Sequence, residues 1–148
     1  MRLHTPWLPI LFFSLAACGE GAEEIPKAPQ LISDRDEMAF DQEFRSGTYV
    51  GTSGFNSVQV KNMGEDTLDV SSIALSGPNV FTMKLSKDGQ DLNPQEAFQV
   101  KSKERFFIEV TFRPREAQQY QGTLLIKSNA ANLPEKSIAL NGLGIAPP

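Results

Sequence analysis

The 148-residue chain has one cysteine, one histidine and one tryptophan. All three lie near its start, as Cys18, His4 and Trp7. A lone cysteine excludes an intrachain disulfide, so the fold must rest on its buried core. Nucleophilic catalysis by Ser, Thr or Cys needs a nearby base, commonly histidine. Beyond His4 there is none, and no G-x-S-x-G or S-x-x-K arrangement appears. Basic residues are the minority, 14 against 18 acidic, which argues against a nucleic-acid ligand. No apolar run reaches the roughly 20 residues of a transmembrane helix. Nor does any stretch of a dozen residues carry a helical apolar stripe. Met38, Met63 and Met83 are scattered and have no histidine beside them, a poor pattern for a copper carrier. The expectation is a protein that is not an enzyme and has no cofactor and no bound metal.

What is present begins with the first 18 residues. Arg2 stands in a polar opening, Trp7 to Phe13 form a short apolar run entered through Pro6 and Pro9, and Leu15-Ala16-Ala17 precede Cys18. A positive start, an apolar middle and small residues at a cleavage point describe a secretory signal peptide. With cysteine at the first mature position, the pattern resembles the lipobox of bacterial lipoproteins. That resemblance implies acylation of Cys18 and cleavage before it, with residues 1–17 as signal peptide. Acyl chains buried at about 0.8 kcal/mol per CH₂ would hold the protein to a bilayer. Gly19, where an inner-membrane retention signal would have Asp, implies the outer membrane by resemblance to enteric sorting. Cleavage removes His4, Trp7 and Arg2, leaving 13 basic against 18 acidic side chains.

Residues 18–36 read as lipidated cysteine and disordered tether. Glu20, Glu23 and Glu24 add charge, Pro26 and Pro29 stiffen it, and no apolar period appears. The acidic Asp34, Asp36, Glu37 and Asp41 lack the spacing and glycine of a calcium loop. They read as a solvated entry to a single domain over residues 37–145, long enough to bury roughly two-thirds of its unfolded surface.

Within that domain the period is two. Val58 and Val60 alternate with Gln59 and Lys61; Leu68 and Val70 flank Asp69; Ile73 and Leu75 follow. Phe106, Ile108, Val110 and Phe112 alternate with Phe107, Glu109 and Thr111. Leu124 and Ile126, then Ile138 and Leu140, complete the series. Half-buried strands produce this alternation, since successive side chains face opposite sides of a sheet. Short strands at even spacing with turn residues between them predict an all-β antiparallel sandwich.

The order of the motifs adds a resemblance. Asn62-Met63-Gly64 ends one strand, Phe112-Arg113-Pro114 ends another, Tyr120-Gln121-Gly122 opens a strand running to Ser128-Asn129, and Leu140-Asn141-Gly142-Leu143-Gly144 closes the chain. This series is similar to the Ig-like module of abnormal-spindle and hydin proteins and of bacterial choice-of-anchor D surface proteins. It implies an Ig-like antiparallel β-sandwich of about 7–8 strands with a non-catalytic interaction or spacing role. Phe40 is followed by Asp41 where the family has glycine, and Arg45 to Phe55 is a long, Gly-rich loop.

Matched residues have mostly structural readings. Gly64 is expected to take the positive φ of a tight hairpin. Tyr120 is expected to form a tyrosine corner, its hydroxyl bonded back to the main chain. Arg113-Pro114-Arg115-Glu116 reads as a solvated strand end. Two functions follow from different classes. One is a membrane-anchored envelope lipoprotein acting as an interaction or scaffold module, its partner another envelope protein and its candidate binding loop carrying Tyr49 and Phe55. The other is a glycan or peptidoglycan binder, which needs exposed aromatics on one face; Tyr49, Phe55 and Tyr120 on one surface would favour it. The apolar residues out of phase, Phe107 and Leu125, are expected on opposite sheets.

Overall fold

The computed structural model describes residues 24–41 and 46–148. Among these residues there are eleven strands: β1 (Leu31–Ser33), β2 (Glu37–Ala39), β3 (Thr48–Tyr49), β4 (Gly54–Asn62), β5 (Leu68–Ser76), β6 (Phe81–Lys87), β7 (Gln90–Leu92), β8 (Phe98–Val100), β9 (Arg105–Phe112), β10 (Gln119–Ser128) and β11 (Glu135–Ile145). One sheet runs β1-β4-β9-β6-β7, the other β2-β11-β10-β5-β8, with β3 also on β11. The two sheets face each other across one core, so the fold is the expected Ig-like β-sandwich. Six of the strands, β4, β5, β6, β9, β10 and β11, are long, and the other five are short pieces of two or three residues at the sheet margins, which takes the number past the expected seven or eight. Pairing is antiparallel except at β2 and β3, which run parallel to β11.

The alternation places the long strands in the expected phase. Val58, Val60, Phe106, Ile108, Val110, Phe112, Leu124, Ile126, Ile138 and Leu140 are fully buried. Their alternates Glu109 and Lys127 are exposed. Phe107 lies outward on β9 and Leu125 half-buried on β10, on opposite sheets as expected. At one end of the core, Phe40 packs on Phe81 and Phe112 with ring centroids 5.5 Å apart in each case, and Tyr120 meets Phe112 edge-on at 5.6 Å. Offset and edge-to-face arrangements of this kind add to the burial of the rings.

Order begins earlier than residue 37. Leu31 is completely buried and pairs with Asn62, and the amides of Glu65 and Asp66 donate to the carbonyls of Pro26 and Lys27. The expected tether is therefore part of the fold from about Pro26 onward. Composition hides this, because one buried leucine and backbone hydrogen bonds hold the segment without any apolar period. The solvated reading of the acidic entry does hold. Asp34 pairs with Arg35 and caps the Gln59 amide, and Asp36 pairs with Lys136.

Gly64 departs from its expected role. Positive φ occurs at Gly47, Gly51, Gly77 and Gly89, and at Asp88 and Lys103, but not at Gly64. A Cβ there would fall on the carbonyl oxygen of Ala28 and lie 2.7 Å from the Cα of Pro29. Close passage of the N-terminal segment, not turn geometry, requires glycine at this position. The turn itself is organised by buried Asn62. Its Oδ1 accepts from the amides of Gln30 and Gly64, and its Nδ2 donates to the carbonyls of Asp66 and Val100.

Candidate functional site

The strand registers give the sandwich two poles. Gly54, Phe81 and Phe112 meet at one end, whereas Asn62, Lys87 and Arg105 mark the other. The chain enters at the Asn62 pole, and the loops 46–53, 77–80 and 113–118 gather at the opposite one. There an open groove of ≈ 610 Å³ is lined by Val50, Gly51, Thr82, Thr111, Arg113 and Arg115, among others.

Its cationic wall is an arch of three residues, Arg113-Pro114-Arg115, held at successive points. The Arg113 amide donates to the Val80 carbonyl at 2.8 Å, and the Pro114 carbonyl accepts from Gly51 at 3.1 Å. The Glu116 amide donates to the Tyr120 hydroxyl at 3.0 Å. This last contact is the expected tyrosine corner, with the hydroxyl returning toward the Glu116 carbonyl. Pro114 is buried, and both arginine side chains are exposed. The groove therefore offers two permanent cations on a fixed backbone. Arginine stays charged and cannot exchange a proton at any physiological pH. Such a wall can pair with an anion through charge-assisted hydrogen bonds. Among the described residues no cluster of His, Cys, Asp and Glu is arranged to hold a metal ion.

Phe55 and Tyr49, paired by sequence as one binding loop, have different surroundings. Phe55 is 63% exposed and sits opposite Thr111 on the outer face of the β4–β9 pair, beside the groove. Tyr49 is half-buried on β3, its hydroxyl oxygen is inaccessible to solvent, and its carbonyl accepts from both the amide and hydroxyl of Thr52. Tyr49 shapes the loop and Phe55 is available at the surface. Tyr120 is buried at its corner. These three aromatics do not share an exposed face, so the platform that would favour a glycan binder is not formed. The lipobox residues Leu15, Ala16, Ala17 and Cys18 lie outside the described residues.

Sequence reasoning passed over Arg113 and Arg115 as a site. It also missed the β6–β7 hairpin, although Asp88-Gly89, both at positive φ, is a strong two-residue hairpin signal. The arginines were legible as outward neighbours of Thr111. What joins them to Val50 and Gly51 is a contact between distant loops.

The sequence model of the family described as Cep192 domain 4 matches residues 28–145. The chain belongs to that family. The match takes in β1 and Gln30, whose amide Asn62 holds. The PapD-like domain 7 of human CEP192 is similar in fold, with a TM-score of 0.56 at 13% identity, over 92% of this chain and 99% of that one. A protein of unknown function from Porphyromonas gingivalis W83 aligns with a TM-score of 0.58 at 13% identity, over 84% of this chain and 51% of that one. The periplasmic chaperone SfaE aligns at 0.52 and 9% identity, over 80% of this chain and 57% of its own. No curated protein matches the sequence. An Ig-like domain of this type fits a non-catalytic interaction module.

Proposed function

We propose that this member of the Cep192 domain 4 family is a lipid-anchored protein-interaction module of a bacterial cell envelope, with no catalysis of its own. The observation that carries the interaction reading is the groove of Arg113 and Arg115, cationic, backbone-pinned and free of any acid–base pair. Leu15-Ala16-Ala17-Cys18 after a short apolar run supports the anchor, and Gly19 supports the outer membrane as its destination. The ordered motifs resembling choice-of-anchor D modules support a surface or periplasmic role. A tether from Cys18 enters the sandwich at the Asn62 pole, which leaves the groove at the end remote from the lipid. The partner on this reading is another envelope protein.

Two measurements test the reading. Metabolic labelling with a fatty-acid probe is expected to tag the wild type and to miss Cys18→Ala; equal labelling of both overturns the anchor. A photoreactive amino acid at position 55 is expected to cross-link one discrete envelope protein in intact cells. If it yields only a diffuse ladder of bulk envelope proteins, the module is a passive spacer.

A further inference from the structure

We propose that the Arg113–Arg115 groove receives a carboxylate-bearing, acidic peptide segment of the partner protein. The inference rests on the reading of the chain as an interaction module and names the chemistry of what it binds.

Charge is the first argument. Among the described residues, Arg35, Lys84, Lys87, Lys127 and Lys136 each have a carboxylate within ion-pair distance. Arg113 and Arg115 are not in any of these pairs; nor are Lys27, Lys61, Lys101, Lys103 and Arg105, but none of those lines the groove. The loops beside them, Ser46 to Ser53 and Gly77 to Val80, contain no charged side chain. Glu116, the next residue on the arch, is in an ion pair with neither arginine, so this pole presents two guanidinium groups without a carboxylate at ion-pair distance among the described residues.

Rigidity is the second. Bonds from Val80, Gly51 and Tyr120 hold the arch at Arg113, Pro114 and Glu116. Glycine at 144 lets β11 pass close beneath it, since a Cβ there would lie 2.8 Å from the Cβ of Pro114. A peptide bound here need not order the backbone of its site, which lowers the entropic cost of association. The planar guanidinium fork matches a carboxylate with two parallel hydrogen bonds.

Composition is the third. Phe55 stands exposed beside the groove, on the same outer face as Thr111. Phenylalanine and arginine are both enriched at protein–protein interfaces relative to the rest of the surface. Its ring gives the peptide an apolar contact beside the charges.

Anionic lipid headgroups share the charge but not the position. Seven residues lie between Cys18 and Pro26, and the nine residues of β4 set the poles roughly 25–30 Å apart. The groove lies at the pole opposite the chain entry, toward protein in the aqueous space.

The test uses the purified full chain in detergent micelles and two fluorescent probes, a glutamate-rich peptide and its glutamine counterpart. Fluorescence anisotropy is expected to show binding of the first only, weakening as salt rises. Arg113→Gln/Arg115→Gln is expected to lower affinity about five- to tenfold, as for two partly solvated charge-assisted contacts. Lys127→Gln, on the other sheet, is expected to leave affinity unchanged. Phe55→Ala gives a second readout that keeps both charges and is expected to weaken binding. An unchanged melting temperature of each variant separates lost contacts from lost fold. Equal affinity for the two peptides, or full affinity in the double arginine variant, overturns the proposal. So does arginine-dependent preference for anionic over zwitterionic vesicles without peptide binding, which would assign the groove to lipid. Since the peptide assay does not depend on acylation, Cys18→Ala binding as the wild type would leave this inference standing even if the anchor failed.

Discussion

The ring of Phe112 occupies the space that a side chain at position 142 would need. A Cβ built on Gly142 lies 2.5–2.8 Å from three of the ring carbons. Phe112 is the last residue of β9 and Gly142 lies in β11, so the contact bridges the two sheets beneath the arginine arch. Phe112 also stacks on Phe81 at 5.1 Å, which leaves its ring little room to retreat.

Gly142→Ala is therefore expected to destabilise the domain by about 1–3 kcal/mol, the usual cost of overpacking a filled core. Chemical denaturation of the two chains measures it. Equal midpoints would mean that the ring shifts freely.

The other side of that contact gives a second prediction. Phe112→Ala removes a fully buried ring that touches three aromatic neighbours, and is expected to cost about 3–5 kcal/mol. Glu109→Ala, three residues away on the exposed face of the same strand, is expected to change stability by less than about 0.5 kcal/mol. Superimposable melting curves for the two would contradict the strand phase.

Asn62→Ala is expected to be as damaging as a core truncation. It leaves the Gln30 and Gly64 amides and the Asp66 and Val100 carbonyls without the side chain that satisfies them. Buried groups left unpaired cost about 1–3 kcal/mol each, and partial rescue by water brings the expected total to about 3–4 kcal/mol. Hydrogen exchange is expected to rise first at Gln30 and Gly64. Protection unchanged at both amides would show that Asn62 does not organise this pole.

A pH dependence is expected at the same pole. The Lys101 amide and then the Lys87 ammonium hold the Glu104 carboxyl below its usual 4.5. Asp88 and then Glu104 hold Lys87 above its usual 10.5. A depressed carboxyl stabilises the fold above its unfolded-state value and loses that contribution as pH falls through the folded one. The raised ammonium contributes below 10.5 and loses its contribution as pH climbs past its folded value. The melting temperature of the wild type is expected to exceed that of Glu104→Gln at pH 7, with the gap closing toward pH 3. A gap of constant size would remove Glu104 from the linkage.

Much of the sandwich was legible because burial on one face writes itself into every second residue. Phe106 to Phe112 could be assigned inward or outward from alternation alone. Tyr120 was legible for a related reason: a tyrosine just ahead of a glycine-marked strand needs a polar partner, and the main chain of the preceding corner supplies one. β1 was illegible. Its one fully buried residue, Leu31, sits among prolines and charges, and its partners lie at Asn62 and, through side-chain bonds to the Leu31 amide and carbonyl, at Asn132.

The glycines mark the limit most clearly. Their presence at 64, 122, 142 and 144 was plain, but their reasons were not. Gly64 makes room for Ala28 and Pro29, Gly142 for a phenyl ring, and Gly144 for Pro114 and Glu116, all distant in sequence or in the opposite sheet. The arginine groove has the same character. Its cations are adjacent in the chain, but its floor comes from loops that only the closed sandwich brings together. By itself the sequence determined class and strand phase, because these follow from residue type and from a period of two along one strand. Tertiary structure decided where the domain begins, why glycine is needed at 64, 142 and 144, and which loops meet the two arginines. Those depend on what crosses from one strand to another, and no local pattern encodes a steric contact between segments distant along the chain.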